Sequence, residues 1–197
     1  MLKIGLTGNM GSGKTTVSKV FEVLGIPVFY ADDAAKKAMT DDAILISQIK
    51  STFGEASYFE DGALNRKHIA DIVFNNDEQL AKLNSLVHPA TFRAFDEWLK
   101  KFKNVPYVLK EAAVLFESDS YKMCDYTVMV RPPLETRIKR VMQRDGLTRA
   151  EIESRNAHQF SEDKKTQLAN YVINNDDTQL VIPQVLELHR IFLSLGH

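Results

Sequence analysis

A chain of 197 residues, 44% hydrophobic and 26% charged, can bury one core with an inserted subdomain, and its composition excludes a disordered or fibrous protein. With 25 basic against 26 acidic residues the formal charge is −1, which excludes a general nucleic-acid binder. The single cysteine, Cys124, excludes an internal disulfide, and no apolar run approaches the roughly 18 residues that span a bilayer. No signal-like segment precedes the first strand-like run, so the expectation is a cytoplasmic chain without membrane or nucleic-acid partners, monomeric or weakly homo-oligomeric.

Leu2–Thr7 is a short apolar run that ends in glycine, and residues 14–24 have helical periodicity and stop at Gly25. Residues 26–30 read as a second buried strand. A long helical stretch follows over 33–103, with turn signals at Phe53-Gly54, Asp61-Gly62 and His88-Pro89, the last expected to bend the chain between helices. Residues 105–109 and 126–130 are continuously apolar, as parallel strands buried on both faces are. A basic helix over 134–144, a polar helical hairpin to 167, a strand at 171–173 and a closing helix over 178–195 complete the chain. Strands alternating with helices predict a parallel sheet with right-handed crossovers. An insertion of roughly 70 residues after the second strand is too long for a connection and predicts a subdomain.

Gly8-Asn9-Met10-Gly11-Ser12-Gly13-Lys14-Thr15 is a complete G-x-x-x-x-G-K-[ST] element lying between a strand and an amphipathic helix. Its glycines let backbone N–H groups converge on phosphate oxygens beside the positive end of the helix. Lys14 is expected to reach the β- and γ-phosphates of ATP, and the Thr15 hydroxyl to ligate Mg²⁺. Asp32 and Asp33 follow strand two at the rim where parallel sheets hold ligands. There a carboxylate can take the acceptor's proton, orient it, or hold Mg²⁺ through water, and it can equally cap the next helix. Capping is the expectation for Asp33; for Asp32 both readings stand.

Arg137, Arg140 and Arg144 fall on one helical face, at i, i+3 and i+7. Arg137 and Lys139 read as a solvated face. Arg140 and Arg144 lead into a polar segment over 145–167 suited to closing over nucleotide and excluding water. Arg155 and Gln159, spaced i, i+4, are expected on one face of it, within reach of phosphates. His88 alone reads as structural, and Phe92, Phe95 and Trp98 as core of the insertion.

In their order along the chain, these elements resemble the dephospho-coenzyme A kinase family over nearly the whole sequence. The resemblance rests on Ile4 through Val17, on Tyr30-Ala31-Asp32, on Leu83 through His88-Pro89, on Leu115-Phe116-Glu117, on Arg140…Arg144-Asp145 with Gln159, and on Val172-Ile173-Asn174-Asn175. It implies a three-layer P-loop NTPase fold with a five-stranded parallel sheet, a helical acceptor-binding insertion over 33–103 and a small lid over 145–167. The core would then be 1–32 with 104–144 and 168–197. It also implies ATP:dephospho-CoA 3′-phosphotransfer with Mg²⁺. Lys14, Asp32 and Arg140 would be catalytic, and Gly8 through Thr16, Arg144 and Asn175 would hold nucleotide. Asp32, His88, Pro89, Leu115, Glu117, Arg155 and Gln159 would serve the acceptor. Three positions depart from the family's usual pattern: Tyr30 for an Asp two places before Asp32, Ala113 for a proline, and Asn170 for an Asp.

Another small P-loop kinase, acting on a nucleoside monophosphate or a polyol, would share the cradle and differ in the insertion. A GTP-dependent switch would need N-K-x-D and D-x-x-G elements, and the sequence contains neither.

Overall fold

The computed structural model describes residues 1–74, 76–157, 159–176 and 178–196, with the backbone but not the side chain of Arg155. The chain forms two compact units, Met1–Tyr30 with Phe102–His197, and Ala31–Lys101.

In the first unit, β1 (Leu2–Thr7) leads into α1 (Lys14–Val23) and β2 (Val28–Tyr30). In the second lie α2 (Ala31–Asp41), α3 (Ala43–Phe53), α4 (Arg66–Val73) and α5 (Asp77–Leu99). The chain then returns to the first unit with β3 (Tyr107–Glu111), β4 (Tyr126–Arg131), α6 (Leu134–Asp145), α7 (Arg149–Ala157), α8 (Glu162–Leu168), β5 (Tyr171–Asn174) and α9 (Val181–Leu195). The five strands are all parallel, in the order β2-β3-β1-β4-β5, within a three-layer α/β arrangement.

Burial on both faces explains the uninterrupted apolar strands. Ile4, Leu6, Leu109, Val128, Val130 and Ile173 meet Val17 and Phe21 of α1 and Val185, Leu188 and Phe192 of α9. On the other face Gly5 lies under Leu115, whose Cδ2 would be 2.7 Å from a Cβ there. From β1 the chain crosses towards one edge of the sheet, and from the neighbouring β4 towards the other. The crevice at a parallel sheet's carboxyl edge opens at such a reversal, here directly above the end of β1.

The helical unit is held by Ala38, Leu45, Ile49, Phe53, Tyr58, Ile69, Leu83, Val87 and Ala90. Asn and Asp side chains start its helices: Asp42 accepts from Leu45 N at 2.9 Å, Asn65 from His68 N and Asn76 from Gln79 N. Two expectations fail here. His88-Pro89 does not bend the chain, because α5 runs through Pro89 for 23 residues. Pro89 is exposed, as is Ser85, whose carbonyl loses its helical donor on the solvent side, while Leu83, Val87, Ala90, Thr91 and Phe95 hold the opposite face in the core. Asp33 is not a cap either. α2 begins at Ala31, so Asp32 and Asp33 both sit inside its first turn, and Asp33 pairs with Lys36 at 2.9 Å. Among the described residues no helix is long and apolar enough to cross a membrane.

Candidate active site

The loop between β1 and α1 is built for an anion. Gly13, the N-terminal neighbour of α1, is left-handed at φ 92° and makes no side-chain cap, and the N-terminus of such a helix suits an anion. A Cβ on Gly13 would come within 2.3 Å of Asn175 Nδ2, and one on Gly11 (φ 82°) within 2.8 Å of the Arg137 carbonyl. Glycine here therefore meets both a backbone demand and a steric one.

Lys14 Nζ donates to the Gly8 carbonyl at 2.8 Å and lies 3.9 Å from Glu111 Oε1, both side chains being nearly buried. Thr15 and Thr16 are exposed at the start of α1. Gly11 through Thr16 line a cleft of about 170 Å³ closed on one side by Arg140 and Arg144. Asn175 ties that cleft to the end of β5: its Nδ2 donates to Ser12 O at 2.8 Å, and its Oδ1 accepts from Arg140 Nη2 at 3.5 Å. Arg144 is exposed and makes a bidentate pair with Asp145, at 2.8 and 2.7 Å.

The other half of the loop is held from a different direction. Asn9 is 3% exposed and donates from Nδ2 to the Phe160 carbonyl at 3.2 Å. Phe160 N donates in turn to Glu117 Oε1 at 2.7 Å. Glu117 pairs at 2.9 Å with Lys165, which is 0% exposed and donates to the Ala113 carbonyl at 2.7 Å. Leu115 is fully buried in the core. Gln159 lies beyond the end of α7, so the expected i, i+4 face with Arg155 does not form; Gln159 N donates to Asn156 O instead. The side chain of Arg155 lies outside the described residues.

Arg137 corrects a further expectation. It is not on a solvated face but 3% exposed, with Nη1 donating to Met10 O at 3.2 Å and to Asn156 Oδ1 at 2.9 Å. Its Nε also lies 2.9 Å from Glu162 Oε1. Burial pushes the Glu162 carboxyl up, against the attraction of Arg137. A cavity of about 770 Å³ opens beside this cluster, lined in part by Asn9, Arg131, Arg137, Gln159 and Phe160.

In the helical unit, Asp32 is exposed in the first turn of α2. His88 is half-buried on α5, its ring stacked 6.4 Å from Phe92, and Pro89 is exposed beside it.

Two residues at the site escape a reading of the sequence alone. Glu111 ends β3 directly after Lys110, and its position beside Lys14 depends on β3 pairing with β1. An acid closing the strand next to the phosphate-loop strand is the signal that finds it. Lys165 reads as part of a polar helix, and nothing local reveals that it is buried.

The chain is similar to known proteins over nearly its whole length. The family described as dephospho-CoA kinase matches residues 2–180. A dephospho-CoA kinase of Bacteroides fragilis is 35% identical over 187 residues, 95% of this chain and 91% of the relative. One from Salinibacter ruber is 38% identical over 180 residues, 90% of each chain. Among solved structures, the crystal structure of a Thermus thermophilus protein is 32% identical with a TM-score of 0.82, covering 98% of this chain and 97% of that one.

Proposed function

The chain belongs to the dephospho-CoA kinase family, and from that premise we propose that it transfers the γ-phosphoryl group of ATP to the ribose 3′-hydroxyl of dephospho-CoA, giving coenzyme A and ADP. The observation that carries the reading is the phosphate loop at the reversal point of the sheet, with Lys14 turned into it and Glu111 beside it.

In this reading the N–H groups of the loop and of the first turn of α1 take the β-phosphate. Lys14 exchanges the Gly8 carbonyl for β- and γ-phosphate oxygens, and Arg140 adds positive charge as charge spreads over the transferring group. Arg144 and Asn175 flank the nucleotide. Residues 145–167 act as a lid that excludes water. The 31–101 unit binds the acceptor through His88 and Pro89, and Asp32 orients the 3′-hydroxyl or accepts its proton.

The donors fit Mg²⁺, a hard cation that prefers oxygen ligands and keeps several waters. Thr15 offers an exposed hydroxyl and Glu111 a carboxylate near Lys14. Among the described residues no cluster of three or more His, Cys, Asp or Glu side chains forms a protein-only metal cage. Held by Thr15 with Glu111 nearby, Mg²⁺ would supply charge neutralisation during phosphoryl transfer. A cytoplasmic setting, where ATP is supplied and the lone Cys124 stays reduced, is part of the same proposal.

The test measures ADP release from ATP and Mg²⁺ with dephospho-CoA, AMP, CMP, GMP, adenosine, shikimate and gluconate as acceptors, with mass spectrometry of the product. A response confined to dephospho-CoA, with one phosphate gained, is expected. A response confined to another acceptor would keep the kinase and discard the acceptor assignment.

A further inference from the structure

Tracing the partners of Asn9 away from the phosphate loop leads back to the loop. Asn9 Nδ2 donates to Phe160 O, Phe160 N donates to Glu117 Oε1, and Glu117 pairs with Lys165 at 2.9 Å. Lys165 Nζ donates to Ala113 O at 2.7 Å, and the same carbonyl accepts from Thr7 Oγ1 at 3.4 Å. Thr7 is the last residue of β1, two places before Asn9. Side chains and backbone thus form a closed ring that joins the phosphate loop, the segment after β3 and the start of α8.

The charged members of this ring lie out of water. Lys165 is 0% exposed and the Glu117 side chain 13%, and Glu117 Oε2 is buried with no hydrogen-bond partner. A buried ion pair is stable only in good geometry, so this one holds its surroundings in a single arrangement. Its surroundings are the Phe160 peptide that grips Asn9 and the Ala113 carbonyl that grips Thr7.

We propose that Lys165 is a positioning residue of the phosphate loop: paired with Glu117, it seats the Phe160 peptide and the Ala113 carbonyl so that Thr7 and Asn9 hold the loop in its anion-binding shape. Glu117 then serves the reaction through the loop and not through contact with the acceptor. The inference rests on the nucleotide reading of residues 8–16.

The test is calorimetric titration with ADP and Mg²⁺, with the thermal midpoint of each variant recorded separately. Lys165→Met combined with Glu117→Gln removes both charges and leaves neither buried alone, and Asn9→Ala cuts the ring at the loop. Each change is expected to weaken ADP binding about tenfold, the worth of one well-placed hydrogen bond. Combining all three should weaken it no further, because both cuts open the same ring. A roughly hundredfold, additive loss overturns the proposal, as does unchanged affinity in the folded Lys165→Met, Glu117→Gln protein. Should that protein fail to fold, amide exchange decides: Phe160 N–H should exchange faster in Asn9→Ala than in the wild type, and equal rates overturn the ring. Wild-type protein that does not bind ADP would overturn the nucleotide reading and this inference together. Tight wild-type binding with unchanged variants overturns this inference alone.

Discussion

The two units bury different things. The charged side chains nearly removed from water, Lys110, Glu111, Arg137 and Lys165, lie in the strand-containing unit, together with Thr7, Asn9 and Ser12. In the 31–101 unit the buried polar side chains among the described residues are Ser57 and Thr91, and Thr91 donates its hydroxyl to the Val87 carbonyl within α5. Burying a charge costs several kcal/mol unless it is paired, so it persists where its geometry serves something else. Here Glu111, Arg137 and Lys165 are paired with Lys14, Glu162 and Glu117, and all three pairs join to the phosphate loop. The helical unit is organised by apolar contact, which specifies volume more than orientation. Change in one unit should therefore be felt as lost catalysis or a broken ion pair, and in the other as lost stability.

Lys14→Ala makes the sharpest contrast. Its kcat should fall about 10²–10³-fold, as when a donor to developing charge is removed, in a protein that still melts cooperatively. Steady-state assay beside a melting curve checks this, and a kcat within a few fold would take Lys14 out of the chemistry. Next is Arg137→Met, which leaves Glu162 buried without its partner and should cost about 3–5 kcal/mol in denaturant unfolding. A cost below about 1 kcal/mol would make Arg137 an ordinary surface pair. Ile49→Ala empties a fully buried site in the helical unit and should cost about 2–5 kcal/mol while leaving ADP affinity unchanged. Weakened ADP binding in that variant would break the separation drawn between the units.

The smallest effect concerns pH. Burial raises the Glu162 carboxyl above its ordinary 4.5, so the unfolded chain ionises this group first. Its contribution to stability is complete below the unfolded value and is lost as pH rises through the folded one. Wild-type stability should accordingly decline relative to Glu162→Gln just above 4.5, and parallel curves would show that the carboxyl is not destabilised by burial.

Local pattern carried much of the fold and the phosphate site. The runs at 105–109 and 126–130 read as buried parallel strands, and the glycine spacing of the phosphate loop announced its conformation and ligand class together. Pro89 misled because the rule that proline breaks helices is local. The packed face of α5, with Val87 and Ala90 flanking the proline, outweighs one missing hydrogen bond on the solvent side. Arg137 misled for a related reason, since it sits in the same helical row as Arg140 and Arg144 and periodicity cannot say which of the three is covered.

By itself, the sequence determined the features that short spacings set: the strand-loop-helix cradle, the α/β alternation, the presence of an insertion and the resemblance that names the reaction. Only the tertiary structure decided which charges are buried and whom they meet. Glu111 reaches Lys14 because β3 pairs with β1, and Lys165 reaches Glu117 and Ala113 across about fifty residues of chain. A buried ion pair is set by strand order and by what packs above it, and neither is written in the neighbours of the residues concerned.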